Sequence, residues 1–329
     1  MRAVVTGASG MVGANLAEAL VAAGGRVRVS YRPGDATRAL DGLVVDHAPC
    51  ELLDAGALAR VFAGAEVVFH AGAMVSFDPG VLEMQMRVNV EGTRNVLWAA
   101  RRAGVRRVVT TTTVNTRGVP PPGTLGDENT PFDWAPYRLG YMDSKHRAEQ
   151  LTLAAAREGQ DALCVLPGTM FGPRDVNRNA GGYIFAIARW PVLVAPPGGT
   201  TVAHVGDVVQ GHIRAAELGR PGARYILGGL PMSYLALYRL IAGELKRPIP
   251  VAALPSRPIL LAGRLASALR SCGLSVPFDA GVARAACAPL YYSSALAERE
   301  LGFRARPPVE AIRDAIKWYR TQGALGDPG

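Results

Sequence analysis

Apolar positions in the first half of the chain fall into short runs separated by longer amphipathic stretches. The runs Ala3–Thr6, Val27–Ser30, Leu43–Asp46, Val67–His70, Val108–Thr111 and Ala162–Leu166 are short and mostly β-branched, as strands buried on both faces are. Between them, Val12, Leu16 and Leu20 recur at helical spacing. Asp54 stands where it can cap a helix reaching Phe62, and 81–103 and 141–157 are each long enough for four helical turns or more. Strand–helix alternation of this kind predicts an α/β fold, a doubly wound parallel sheet built from βαβ units.

The rhythm changes after Leu166. Pro167, Gly168, Gly172, Pro173, Gly181 and Gly182 mark a long irregular connection. His204-Val205-Gly206-Asp207 reads as the end of a strand and the start of a helix running to about Glu217, with Asp207 as its cap. Tyr225-Ile226-Leu227-Gly228-Gly229 reads as one more strand and turn, and the remainder is largely helical. The pattern predicts a large α/β domain over 1–167 plus about 198–220, with the 200–217 unit returning to the first sheet. A smaller, mostly helical lobe is expected over 168–197 and 221–329.

Composition narrows the function classes. With 49% apolar and 19% charged residues over 329 positions, the chain is not a disordered segment. Four cysteines (Cys50, Cys164, Cys272 and Cys287) are too few for a disulfide scaffold and lack metal-ligand spacing, so no metal is expected and inert thiols in a reducing compartment are. The net charge of +9 comes from 33 arginines and only three lysines, Lys145, Lys246 and Lys317, spread without a dense run. No basic stripe interleaved with aromatics suggests a nucleic acid. Met1 to Gly7 runs straight into a strand and turn, so a leader peptide is not expected and a cytoplasmic location is. No apolar run reaches about 18 residues. The nearest, Pro258 to Leu274, is interrupted by Arg264 and Arg270. It reads as a helix packed on its own domain, with weak peripheral contact to a membrane surface as the alternative.

Two motifs carry chemistry. Thr6-Gly7-Ala8-Ser9-Gly10-Met11-Val12-Gly13 follows the first strand and opens the first helix. Gly7 suits a tight turn, Gly10 lets backbone N–H groups approach a pyrophosphate, and Gly13 lets helix and strand pack closely. Ser9, Met11 and Val12 complete the candidate cradle at the positive end of the helix. The second strand ends in Arg32, with Arg38 near the same corner and no acid before Asp35. Arginine there suits the 2′-phosphate of NADP, whereas an NAD site uses a carboxylate; NADP is expected, and NAD less so. The second motif is Tyr141-Met142-Asp143-Ser144-Lys145, a phenol and an ammonium one helical turn apart. A nearby cation is expected to lower the phenol's pKa and suit it to proton transfer. With ten tyrosines and three lysines in the chain, the pairing is uncommon by chance. Thr110-Thr111-Thr112-Thr113 ends the fifth strand, where a hydroxyl can hold a substrate carbonyl oxygen against the tyrosine. Thr110 and Thr112 read as ordinary strand residues.

Together with His70-Ala71-Gly72-Ala73, Asn89-Val90-x-Gly92-Thr93, Gly172-Pro173-Arg174 and His204-Val205-x-Asp207-Val208, these features resemble the extended short-chain dehydrogenase/reductase superfamily. Tyr141-x-x-Ser144-Lys145-x-x-Ala148-Glu149 and the Arg32-Pro33 corner look like its dihydroflavonol-reductase-like branch, which also holds 3β-hydroxysteroid dehydrogenase relatives and bacterial hopanoid-associated epimerases. The C-terminal Tyr225–Gly229, Tyr291–Ser294 and Glu300–Phe303 segments look especially like that bacterial group. The resemblance implies a Rossmann-type domain and a substrate-binding lobe. It also implies a mechanism in which Thr113 supplies the hydroxyl, Tyr141 the proton, and Lys145 holds the nicotinamide ribose. Ala71, Gly72, Ala73, Thr111, Pro167, Gly168 and Thr169 are implied to lie along the cofactor. Two departures stand out. Thr113 replaces the usual Ser, and Cys50-Glu51-Leu52 replaces the usual Gly-Asp-Leu, so adenine contact by Glu51 and Leu52 is in question.

The expected activity is hydride transfer between NADP and a carbonyl or secondary alcohol of a fairly apolar, ring-containing or lipid-like substrate. Met170, Phe171, Tyr183 and Trp190, with Phe185, are the candidate substrate lining. One alternative is a nucleotide-sugar epimerase or dehydratase, with Arg174, Arg178, Arg189 and Arg239 available to a diphosphate. Another is a non-catalytic NADP-binding protein. The helices over 81–103 and 141–157 resemble those that many family members use in a two-fold dimer, and a homodimer and a monomer both stay open.

Overall fold

The apolar runs of the N-terminal half become an all-parallel sheet. In the computed structural model, which describes residues 1–326 apart from 248, 273, 275 and 277, β1 (Arg2–Thr6) leads through α1 (Met11–Ala22) to β2 (Arg26–Ser30). β3 (Asp46–His47), α2 (Ala55–Val61) and β4 (Val67–His70) follow. Then come α3 (Leu82–Gln85), a π-helical stretch Met86–Glu91, α4 (Gly92–Arg102) and β5 (Arg107–Thr111). α5 (Gly140–Arg157) and β6 (Ala162–Pro167) complete the first half. The second half holds β7 (Thr169–Phe171), α6 (Gly181–Arg189), β8 (Leu193–Ala195), β9 (Gly199–His204), α7 (Val205–Leu218) and β10 (Arg224–Leu227). It continues through β11 (Leu230–Ser233), α8 (Tyr234–Glu244), β12 (Val251–Ala253) and α9 (Ser256–Ser271). It ends with α10 (Ala280–Cys287), β13 (Pro289–Leu290), α11 (Ala295–Leu301) and α12 (Pro308–Thr321).

The large sheet has the order β10-β6-β5-β4-β1-β2-β3, with every pairing parallel. Its direction reverses between β1 and β4, and the carboxyl ends of the strands at such a switch point form a ready crevice for a ligand. β4, β5 and β6 are buried along their whole length, because helices cover both faces. α1 lies beside α7 on one face, while α2, α4 and α5 pack side by side on the other. α2 begins at Asp54, whose carboxylate accepts from the Ala57 N–H at 2.8 Å.

Four local expectations are corrected. The strand expected over Leu43–Asp46 shrinks to Asp46–His47 at the sheet edge, and Leu43 and Val45 instead pack as loop residues against the core. The helix expected over 81–103 is interrupted by the π-helical stretch, which carries Asn89. β9 does not return to the large sheet: β11 occupies one of its edges, and β7 and β13 share the other. Only α7 of that unit joins the large domain, and residues 224–227, expected in the smaller lobe, form that domain's edge strand beside β6. Finally, His204 caps α7, its Nδ1 accepting from the Gly206 N–H at 2.8 Å. Asp207 is turned instead to Arg306, at 2.7 Å.

Helix α5 is held by a buried ion pair. Glu149 has no exposed surface and pairs with the equally enclosed Arg117; its other oxygen accepts from the Thr116 hydroxyl at 2.6 Å. Arg224 on β10 approaches the same carboxylate at 3.5 Å. Breaking a buried pair by removing one partner strands the other charge. Glu149→Ala is therefore expected to cost about 3–5 kcal/mol in urea unfolding; a loss below about 1 kcal/mol, the range of surface pairs, would contradict this role.

Candidate active site

The glycine loop has the geometry of an anion cradle. Gly7 sits at φ +69°, and a Cβ there would come within 2.4 Å of the Gly72 Cα. Gly7 therefore has to lack a side chain for β1 and β4 to come together at the switch point, whereas a Cβ on Gly72 would press on the Leu52 side chain at 3.1 Å. Gly10 precedes the first turn of α1 with no side chain capping it. A Cβ on Gly10 would meet only the Gly7 carbonyl, at 3.5 Å, so its outer face is open to a ligand at the positive end of the helix. Gly13 packs on Gly7 and Ala8, the close helix–strand approach its spacing predicts. These residues fit the pyrophosphate of a dinucleotide.

At the end of β2 the structure adds something the linear sequence conceals. The chain turns back so that Asp35 accepts from Ser9 Oγ at 3.1 Å and pairs with Arg32 at 2.8 Å. A carboxylate thus lies in the corner that sequence spacing assigned to arginine alone. Arg32 remains largely exposed beyond this contact, and Arg38 is exposed. Glu51 is exposed on the neighbouring loop, while Leu52 is wedged against Gly72 and Gly92.

The proton-transfer candidates meet at the carboxyl end of β5. Thr113 is buried, and its hydroxyl lies within reach of the Tyr141 phenol. Burial pushes the phenol's pKa above its ordinary value, and the Thr113 hydroxyl opposes that shift. The expected lowering by Lys145 is not what this geometry gives. The Lys145 ammonium is buried and donates to the Thr111 carbonyl at 2.6 Å, and burial lowers its own pKa to about 8. The other hydroxyls are occupied. Thr110 accepts from Thr152, Thr111 bonds His212 at 2.9 Å, and Thr112 donates to the Val165 carbonyl. Thr113, whose hydroxyl also accepts from the Asn115 N–H at 3.3 Å, is the one of the four that bears on the Tyr141 phenol.

Two functional residues were missed. Asn89 bonds the Met74 backbone in both directions, accepting from its N–H at 2.7 Å, and also donates to Ser144 on α5 at 2.9 Å. It ties the 71–78 loop to the helix carrying Tyr141. The available signal was the Asn89-Val90-x-Gly92-Thr93 pattern, and the structure places Asn89 buried in a π-helical turn. Phe77, on the same loop, meets the Tyr141 ring edge-on at 5.6 Å between centroids. His70 is neutral, its pKa lowered to about 3 by burial and by Lys145. It links Thr6 on β1 to Thr93 on α4.

The expected substrate lining divides. Phe171 is wholly buried in the core of the smaller lobe, and Met170 packs against the core of the large domain. Tyr183 joins Tyr234 and Tyr238 in an aromatic cluster, with burial raising all three hydroxyl pKa values. Trp190 lies exposed beyond α6, next to Arg189. Pro167 ends β6, Gly168 donates to the Leu227 carbonyl, and the Thr169 hydroxyl bonds Thr200 at 2.9 Å. Ala71 donates to the Thr6 carbonyl beside the glycine turn. Of the arginines available to a diphosphate, Arg174 grips Glu18 and the Ala39 carbonyl, and Arg178 lies over the Phe185 ring at 4.1 Å. Among the cysteines, Cys50 and Cys164 are buried, but Cys272 is exposed.

The glycine turn lies at the switch point of the sheet, and Thr113, Tyr141 and Lys145 gather at the carboxyl end of β5. The NAD dependent epimerase/dehydratase family matches residues 3–228. The chain belongs to that family and is an extended short-chain dehydrogenase/reductase, an NAD(P)-dependent enzyme of the dihydroflavonol-reductase-like kind. It is 33% identical to a Synechocystis sp. protein carrying the provisional name dihydroflavonol 4-reductase, over 97% of this chain and 94% of that one. It is 31% identical to sterol demethylase protein B of Methylococcus capsulatus, over 99% and 100%. The crystal structure of gox2253 superposes with a TM-score of 0.87 at 32% identity, covering 99% of each chain.

The buried lysine gives a test of the site's electrostatics. A lysine with a folded pKa near 8 binds fewer protons than the unfolded chain between pH 8 and its ordinary value of 10.5. Stability from this group therefore rises with pH across that window. Relative to Lys145→Met, the wild type is expected to gain roughly 3 kcal/mol between pH 7 and pH 10 without cofactor. Parallel stability profiles for the two proteins would contradict the assignment.

Proposed function

We propose that this enzyme transfers hydride between NADP and a carbonyl or secondary alcohol of a fairly apolar, ring-containing or lipid-like substrate, by a Thr113–Tyr141–Lys145 mechanism. The observation that carries the reading is the meeting of the Thr113 hydroxyl and the Tyr141 phenol one turn from the buried Lys145 ammonium. When bound, the reduced nicotinamide supplies the hydride. Tyr141, kept protonated at neutral pH by burial, hands its proton to the carbonyl oxygen. Thr113 holds that oxygen by donating its hydroxyl hydrogen, which directs the charge developing in the transition state. Lys145 offsets the negative charge left on the phenolate as the proton departs. Asn89 and Phe77 hold the 71–78 loop against α5.

An apolar substrate is supported by the tyrosine cluster of the smaller lobe and by the engagement of Arg174 with Glu18. Relatives bear names such as sterol demethylase protein B and 3-beta-hydroxysteroid dehydrogenase, the latter from Mycolicibacterium neoaurum. The epimerase reading would place a diphosphate on the exposed Arg189 or Arg239, or require the Arg174–Glu18 pair to open.

For the cofactor, Arg32 takes the 2′-phosphate by leaving Asp35. Arg32→Ala is expected to raise the KM for NADPH by about tenfold or more, the loss of one charge-assisted contact, with little change for NADH. Asp35→Ala should act in the opposite sense and favour NADPH further. If Arg32→Ala weakened both cofactors equally, the NADP assignment would be overturned. Tyr141→Phe is expected to reduce carbonyl-dependent NADPH oxidation by about 10²-fold or more while leaving NADPH binding, read by fluorescence, in place. Turnover close to wild type would contradict the proton-donor role.

A further inference from the structure

The smaller lobe carries an apolar face built from two segments that bear no carboxylate of their own. On α9, Leu261 and Leu265 are each 59% exposed and Leu269 47% exposed. They stand at i, i+4 and i+8, one row along the helix. The opposite side of α9 is packed: Gly263 faces Ala283 on α10 so closely that a Cβ would come within 2.5 Å. More exposed apolar residues lie on and beside the strands that lead into α9. β12, which leads into α9, pairs with β8, and Leu254 donates to the Ala195 carbonyl at 3.0 Å. Leu254, Val194, Val192 and Trp190 are all exposed there. Scattered apolar side chains on a surface need no explanation, but a contiguous ribbon of them does.

Charge decides what covers it. No aspartate or glutamate occurs from 176 to 206 or from 245 to 278, the two segments that build this face. Arg257 and Arg264 flank the leucine row on α9, exposed and without an ion-pair partner among the described residues. Arg189 and Lys246 are exposed on the same segments. Asp279, at the start of α10, is paired with Arg270 of α9 at 2.9 Å, and α9 itself carries no carboxylate. A leucine row bordered by arginines matches an interfacial helix, whose apolar side enters the acyl boundary while its cations meet anionic headgroups. No described helix is long and apolar enough to cross a bilayer, so the contact is peripheral.

We propose that α9 and the β8–β12 ribbon form a docking surface for an anionic lipid bilayer. The surface adjoins the active site: α10, on which α9 rests, packs its Gly281 against Tyr137 and Leu139, immediately before the helix carrying Tyr141. A lipid-like substrate would then reach Tyr141 from the membrane side of the molecule. This last step rests on the apolar-substrate reading, whereas the docking itself does not.

The test is flotation of the full-length protein with vesicles of phosphatidylcholine alone or mixed with phosphatidylglycerol, with no substrate present. The wild type is expected to float with the anionic vesicles, and high salt should weaken the association. Leu261→Asp with Leu265→Asp should lower partitioning roughly tenfold or more, and Arg257→Gln with Arg264→Gln severalfold on anionic vesicles only. Thermal melting and NADPH binding, expected to match wild type, verify that these surface variants fold. Failure of the wild type to float, or flotation indifferent to the leucine substitutions, would overturn the proposal. So would a wild-type dimer that Leu261→Asp dissociates without any vesicle binding, which would make the face a contact between copies. Because flotation is read without turnover, failure here leaves the hydride-transfer reading intact, and a failed reductase assay leaves the docking result intact.

Discussion

A carboxylate with no exposed surface, Glu149, sits between the guanidinium groups of Arg117 and Arg224, and the position of helix α5 depends on it. Arg117 belongs to the segment that leaves β5, so the pair locks α5 against the same chain that carries Thr113. Four residues toward the amino end of α5, Lys145 is tied to the Thr111 carbonyl, and four further on Tyr141 meets Thr113. One face of one helix is thus fixed three times against a single strand end. Buried charges are expensive unless satisfied: Glu149 is held by Thr116 and Arg117 and Lys145 by a backbone carbonyl, while the Arg117 Nε has no hydrogen-bond partner among the described residues. The desolvation that depresses the Lys145 pKa is the counterpart of the rigidity that aims Tyr141.

The cofactor side follows a different logic. There the sequence removes atoms instead of adding charges. Gly7 lets β1 and β4 close, and Gly10 leaves the start of α1 open. One strand away, Arg32, Asp35 and Ser9 form a small polar corner. Arg32 and Asp35 pair with each other there, and the proposed NADP preference would require that exposed pair to open. The smaller lobe, by contrast, is built around the aromatic packing of Tyr183, Tyr234 and Tyr238; Arg174 is held in structural contacts, while Arg189 and Arg239 are exposed.

Much of this was legible from residue patterns, and the exceptions have physical reasons. Strands buried on both faces, such as Val67–His70, announce themselves because helices cover them; the edge strand at Asp46–His47, with one neighbour and exposed side chains, does not. The Tyr141–Lys145 spacing and the glycine triplet are local and were readable. The partners of β9 and β10 are non-local, since a short apolar run does not reveal which sheet it will join, so both were misplaced. Asp35 lies beyond a Pro-Gly turn in sequence, yet that turn is what returns it to Ser9. The engagement of Lys145 with a carbonyl, which leaves the phenol's pKa raised, depends on side-chain direction that spacing alone does not contain. Phe171 was apolar in the expected place but belongs to the core, and Asn89 was noticed as a pattern without its task.

The central claim is that this site performs net reduction, with hydride leaving the nicotinamide for good. The most direct measurement uses NADPH deuterated at C4 on both faces, incubated with a panel of ring-containing ketones, and reads the product alcohols by mass spectrometry. The account predicts alcohols heavier by one deuterium on the carbinol carbon, formed by the wild type and not by Tyr141→Phe. Full retention of deuterium in the dinucleotide throughout, together with isomerisation of an added nucleotide sugar, would contradict it.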